Sequence, residues 1–293
     1  GRILANLLDE VEKGWGCMSS SPTITNDTCQ KNILSTLDMR MRQNNFDLLR
    51  FLFAFMVFLV HAYVLSGAEA LSILGKLFSS ESAVKCFFVV SGFLIFMSYE
   101  KSANAQEYFI KRARRIYPAY CFVVVACAVS GGAFSVYSWS EYISWPLLKY
   151  VTANLLFLNF LHPTLPGLFE NNTLQVVNGA LWTLKIEVMF YFFVPLAVMA
   201  LRKFGRLPVM VLLYIASVIY SIIMVELARR TGLGLFLVLQ YQLPGQLVFF
   251  IAGAACYYYF EYVVKFRLWL LLFALVSFAL QSWLPSAFLQ PVA

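Results

Sequence analysis

Residues 51–60 read FLFAFMVFLV, ten consecutive positions without a polar side chain. Extended to Phe46–Ser66, the stretch reaches the ~20 residues a helix needs to cross a hydrocarbon core of ~30 Å. Its apolarity is continuous rather than alternating, which reads as a helix and not as a barrel strand. The pattern recurs outward from it. Further apolar segments lie at about 84–99, 116–136, 146–161, 180–201, 207–227, 243–260 and 268–284, which makes about eight. The 293-residue chain is 61% hydrophobic and only 13% charged, with a mean hydropathy of +0.73. Soluble domains carry about 25% charged residues. The reading is an all-α, polytopic transmembrane helical bundle. A soluble enzyme, a disordered chain and a reader of nucleic-acid bases are excluded, so the expected surroundings are membrane lipid, with no nucleic acid.

The net charge of +7 gathers in short runs between apolar segments, as the positive-inside rule predicts. Residues 101–115 read as a basic cytoplasmic loop, which also puts the N-terminus inside. The later topology turns on 146–161, which holds Lys149, Thr152, Asn154 and Asn159. If it spans, Arg202, Lys203, Arg206, Lys265 and Arg267 fall outside, and Arg229 and Arg230 inside. If it does not, the split reverses to five inside and two outside, and charge bias favours this second reading. Residues 1–43 are polar and aperiodic, and read as a tail or artefact ahead of a membrane domain at 44–293. The six cysteines form no CxxC pair, so packing is their expected role. Cys17 and Cys29 could pair, but nothing compels it.

Three polar residues interrupt the first apolar segment: Asp47, Arg50 and His61. At about 100° per residue, the eleven steps from Arg50 to His61 return to within ~20° of one direction. Asp47 lies ~40° from His61 on the same count, so all three share a stripe. His61 sits ~16 Å along the axis from Arg50. An ionisable group at the membrane centre is costly enough to be a functional candidate. A buried neutral imidazole would serve as a general base on a hydroxyl. The stripe is expected to look into the bundle. Glu187, inside a later segment, needs a partner, and His61, Lys149 and Tyr191 are the candidates; Lys185, two residues away, points elsewhere.

These residues sit in recognisable company. Asn45-Phe46-Asp47-Leu48-Leu49-Arg50, followed by ten residues and His61, resembles the opening of the acyltransferase-3 family of integral membrane O-acyltransferases. Phe88 to Ile95 resembles that family's "FFxxSGFLI" helix. Phe109 to Tyr120 resembles its "RxxRIxPxY" segment, and Leu181 to Tyr191 its "LWTLxxExxFY" helix. Four motifs in order are far more specific than any one, and they cover the chain from about residue 44 onward. The family usually has about ten spans, which leaves the last ones unaccounted for in a chain that stops at Ala293.

The resemblance implies a multi-pass enzyme of the bacterial inner membrane, using acyl-CoA, above all acetyl-CoA, as co-substrate. The acceptor would be a hydroxyl of a carbohydrate or glycolipid. It implies catalytic roles for His61, Arg50, Asp47 and Glu187. Donor binding would fall to Arg112, Arg115, Tyr117, Ser91 and Gly92, although small residues such as Ser91-Gly92 equally suit helix packing. Guanidinium forks match phosphate oxygens, and CoA carries several phosphates. No bound cofactor and no metal are expected, since the thioester supplies the driving force. The competing reading is a transporter using the intramembrane charges as a proton relay; the lack of an internal repeat counts against it.

Overall fold

The computed structural model describes residues 46–66, 68–170, 172, 175–269 and 272. The expectations for residues 1–43, for Cys17 and Cys29, and for the segment at 268–284 fall wholly or largely outside them. The chain divides into two units after Leu52. The described part of the first is the opening of α1, and everything below concerns the second unless α1 is named.

Every regular element among the described residues is helical. They are α1 (Phe46–Ser66), a 3-10 turn (Glu69–Leu71), α2 (Ser72–Leu77), α3 (Ser80–Glu100), α4 (Ala105–Phe134), α5 (Trp139–Tyr142) and α6 (Trp145–Leu155). After a loop follow α7 (Leu181–Phe204), α8 (Arg206–Thr231), α9 (Leu235–Gln240), α10 (Leu243–Tyr258) and α11 (Phe260–Lys265). Six helical stretches are long and apolar enough to cross a membrane: α1, α3, α4, α7, α8 and the α9–α10 pair. The difference from eight has two sources. One expected span lies mostly outside the described residues. The other, 146–161, holds only the eleven-residue α6, about 16 Å long, against the ~30 Å of a bilayer core. It packs on α4 instead.

The centre of the bundle is α3 against α10, with α7 beside α3 and α8 beside α10. Phe88 meets Trp182 and Phe250, while Phe96 meets Phe190 and Tyr258. The numbers rise together, so α3, α7 and α10 run the same way. Phe190 and Phe250 stack at 3.7 Å between centroids and close the core. Hydrocarbon lipid gives no hydrophobic drive for helices to associate, so close packing must supply it. Gly92 and Gly253 make it available. A Cβ on Gly92 would lie 2.2 Å from the Phe250 carbonyl oxygen, and one on Gly253 would lie 2.0 Å from that of Val89.

A second core joins the far half of α4 to α5, α6 and Leu165 and Leu168 of the following loop, through Tyr120, Val124, Tyr142 and Tyr150. Gly131 and Gly132 let this layer fold back onto α4, since side chains there would strike the Tyr142 hydroxyl and the Trp139 ring. Tyr142 anchors the contact by donating to the Ala128 carbonyl at 2.6 Å.

The residues expected to form a basic loop are mostly helix. Only 101–104 are irregular; Asn104 caps the Glu107 N–H and α4 starts at once. Lys111, Arg112, Arg114 and Arg115 therefore ride on its first three turns. Glu100, at the end of α3, gathers the neighbouring helix ends: Arg202 of α7 pairs with it at 2.6 Å, and the Tyr258 hydroxyl of α10 donates to it at 2.6 Å. The Arg206 guanidinium of α8 lies 4.9 Å from the Tyr258 ring centroid. Tyr258 is thus part of a polar junction. One end of the bundle collects the basic residues of 101–115 and 202–206, and Lys265 and Arg267 follow directly after α10. Arg229 and Arg230 lie at the other end of α8, both paired with Glu226. This is the five-against-two distribution expected if 146–161 does not span.

Replacing Gly253 with Ala should destabilise the bundle by about 1–3 kcal/mol, because the new methyl strikes backbone that can yield only if α3 and α10 separate. Gly179→Ala is the control, with nothing within 4 Å of its added carbon. Thermal unfolding of the detergent-solubilised protein should show a lowered midpoint for the first and none for the second.

Candidate active site

The polar interior starts from a proline. Pro195 sits inside α7 and lacks the N–H that would bond the carbonyl four residues earlier. That carbonyl belongs to Tyr191. The Tyr108 hydroxyl of α4 donates to it instead, at 3.2 Å. Tyr108 is fully buried, and its ring packs edge-on to those of Tyr99 and Tyr191. One missing hydrogen bond therefore docks the start of α4 onto the middle of α7.

The docking brings charges together. The Tyr191 hydroxyl donates to Glu187 Oε1 at 2.7 Å, one helical turn away. Glu187 is 2% exposed, and the positive charges of Arg115 and Arg112 act on its carboxylate. The Arg112 guanidinium lies 5.8 Å from the Tyr191 ring centroid and donates through Nη2 to Ser98 Oγ at 2.8 Å. Its Nε is buried without an acceptor among the described residues. Of the three partners expected for Glu187, Tyr191 is the one observed as a hydrogen-bond donor. The arginines were expected to serve CoA alone, yet both also act on this carboxylate. Lys185 points away, as its i+2 spacing requires, and lies 4.8 Å from the Phe160 ring centroid.

The other expected site residues are dispersed. Ser91 is buried and its hydroxyl has no partner among the described residues; it lies two turns above Ser98 on the same face of α3. Gly92 is at the crossing with α10. Tyr117 is exposed on α4. Asp47 and Arg50 occupy the opening turns of α1, where an acidic group complements the helix dipole. His61 lies on the same helix, so the stripe has the continuous helix it needs. The expectation that His61 faces the bundle interior is corrected: it is exposed, and its ring Nδ1 lies 2.8 Å from the Val57 carbonyl oxygen. A carbonyl oxygen only accepts, so the neutral ring carries its proton on Nδ1 and its lone pair on Nε2.

Sequence reading missed Tyr108 and Ser98. Tyr108 could have been found. A proline inside an apolar helix orphans one named carbonyl, and a buried hydroxyl on a neighbouring helix is the usual remedy.

The sequence profile of a family described as an acyltransferase domain matches residues 43–289, and the chain belongs to that family. It is 30% identical over 178 residues to nodulation protein 10 of Rhizobium leguminosarum bv. viciae, covering 56% of this chain and 46% of that one. It is 29% identical over 183 residues to an O-acetyl transferase of Shigella phage Sf6, covering 60% and 52%. The chain thus spans about half the length of these curated relatives. No solved structure matches it.

Tyr108→Phe should destabilise the protein by about 1–3 kcal/mol, the cost of a buried carbonyl left unpaired. In a Pro195→Ala background the restored N–H takes that carbonyl, and the same substitution should cost much less. A double-mutant cycle on unfolding midpoints measures the coupling; additive effects would refute the proline-to-tyrosine link.

Proposed function

We propose that this membrane acyltransferase moves an acetyl group from acetyl-CoA to a carbohydrate hydroxyl, with its basic end in the cytoplasm. The observation that supports the reading most directly is the Arg112–Arg115 pair on the first turns of α4. It lies at the basic end, beside the buried Glu187–Tyr191 pair, with one buried guanidinium N–H still lacking an acceptor. Arginine forks bind phosphate oxygens bidentately, and the family supplies the acyl chemistry.

In this reading the acceptor hydroxyl oxygen attacks the thioester carbonyl carbon. The C–O bond forms, the C–S bond breaks, and CoA thiolate leaves. His61 takes the hydroxyl proton on Nε2, which the Val57 contact leaves as the basic nitrogen, and returns it to the thiolate. Asp47 and Arg50 share the stripe of His61 on α1. Asp47 and Arg50 take supporting roles on that helix. Glu187, bonded to Tyr191, adds a negative charge beside the start of α4. A proton relay for transport needs no thioester, and the acyltransferase family of the chain favours transfer.

Arg115→Ala should raise the KM for acetyl-CoA by roughly tenfold or more, the worth of one charge-assisted contact, and lower the unfolding midpoint, because the buried Glu187 carboxylate loses a compensating positive charge. Arg115→Lys should recover part of the loss. Arg112→Ala should lower the unfolding midpoint as well, because Ser98 and the Tyr191 ring lose a partner. His61→Ala should abolish turnover with CoA binding retained. An unchanged KM per correctly inserted molecule in the Arg115→Ala protein would sink the phosphate-clamp assignment.

A further inference from the structure

At the end of the bundle opposite the basic one, a cavity of about 730 Å³ opens between the last turns of α4 and the loop that precedes α7. Ser130 and Phe134 of α4 face Gly167, Phe169, Glu170 and Asn172 of the loop across it. Glu170 is the one charged residue of its lining, and 162–179 contains neither Lys nor Arg. A site so composed has no complement for an anion. It offers a carboxylate and a side-chain amide to hydroxyl groups, and apolar faces to the C–H side of a ring.

The loop is built to hold these groups. Glu170 Oε1 accepts from the Tyr137 hydroxyl at 3.0 Å and from the Gly167 N–H at 3.1 Å. The carboxylate pushes the Tyr137 phenol above its ordinary value, so Tyr137 remains a protonated donor. Gly167 takes a φ of +65°, and a Cβ there would strike Ser135 and Tyr137. Phe169 also has a left-handed φ, of 60°, which costs free energy that Asn or Gly would largely avoid. The other such residue among those described, Phe157, has a packing reason: its ring stacks on Tyr120 at 4.3 Å. Phe169 has no such stacking partner among the described residues, and is 44% exposed at the cavity rim. An aromatic side chain held in a strained backbone yet left uncovered points to a surface used by something else.

We propose that this cavity is the acceptor subsite and that it takes a neutral sugar ring, stacked on Phe169 and Phe134, with hydroxyls bonded to Glu170 and Asn172. The inference rests on the acyl-transfer reading for the identity of the ligand, and on the cavity itself for its location.

The test uses the detergent-solubilised full chain, with acetyl-CoA and four neutral probes: the methyl glycosides of glucose, galactose, rhamnose and N-acetylglucosamine. Methyl glucuronide is the anionic control. Acetylation is followed by mass spectrometry, and binding independently by saturation-transfer NMR. The variants are Phe169→Asn, which suits a left-handed φ, and Glu170→Gln, which keeps an oxygen for Tyr137 and Gly167. Phe169→Asn should raise the unfolding midpoint yet increase the KM of the accepted glycoside about tenfold, leaving the acetyl-CoA KM unchanged. Glu170→Gln should raise the glycoside KM likewise, and the glucuronide should neither bind nor react. If a glycoside is acetylated and both variants leave its KM unchanged, the subsite is overturned while the transfer reading stands. If a glycoside binds, the variants abolish that binding, and no acetylation occurs, the subsite stands and the transfer reading falls. If no glycoside binds or reacts, the subsite is overturned.

Discussion

The close approach of α3 and α10 governs the rest of the bundle. With Gly92 facing the Phe250 carbonyl and Gly253 facing that of Val89, the two backbones touch with no side chain between them. Dispersion attraction falls steeply with separation, so this contact yields most where lipid offers no hydrophobic drive. It also settles rotation. Once Gly92 of α3 faces α10, Ser91, Ile95 and Ser98 are turned toward α4 and α7, which places Ser98 under Arg112. A packing contact on one side of α3 thereby selects the polar contact on the other.

The polar interior obeys a second rule, that a backbone group away from water must find a partner inside the protein. Pro195 breaks that rule for Tyr191, and the remedy comes from α4 through Tyr108. The sequence of consequences is short. Tyr108 fixes the first turn of α4, Arg112 follows one turn later, and the Tyr191 ring receives it. A buried carboxylate is tolerable only where opposite charge and a hydrogen bond compensate it, and both are present. The charged centre is thus a product of helix docking, with the docking itself initiated by a proline.

The membrane class and the helix positions were legible in the sequence because ~20-residue apolar runs have few other readings. The motif residues were legible as a set, but not their pairing. Glu187 and Tyr191 are one turn apart and could be paired on spacing alone; Arg112 and Tyr191 are 79 positions apart, and nothing in either segment announces the contact. The 101–115 run was read as a loop because its charge masked its helical start, although Asn104 three residues before Glu107 is a capping pattern. The 146–161 segment was ambiguous for the opposite reason: it is apolar enough to suggest a span, and only its length as a helix removes it. His61 shows a further limit. Angular arithmetic puts it on a stripe with Asp47 and Arg50, but cannot say which way the stripe turns.

The helix α4 connects the two ends of this chemistry. Arg112 and Arg115 stand on its first turns and Ser130 and Phe134 on its last, so the arginine pair and the cavity are ~27 Å apart along one axis. A donor held by its phosphates at the basic end cannot present a thioester at the cavity unless an extended arm, or the acceptor hydroxyl itself, covers that length. For the proposed transfer His61 is better exposed than buried, with Nε2 left as the basic nitrogen by the Val57 contact. A general base buried beside Glu187 would serve only the donor, whereas an exposed one can meet a hydroxyl arriving from the other side. Glu187, by contrast, is enclosed where α4 meets α7, bonded to Tyr191 and compensated by the charges of Arg115 and Arg112, and a buried polar pair of that kind is strengthened by its distance from solvent.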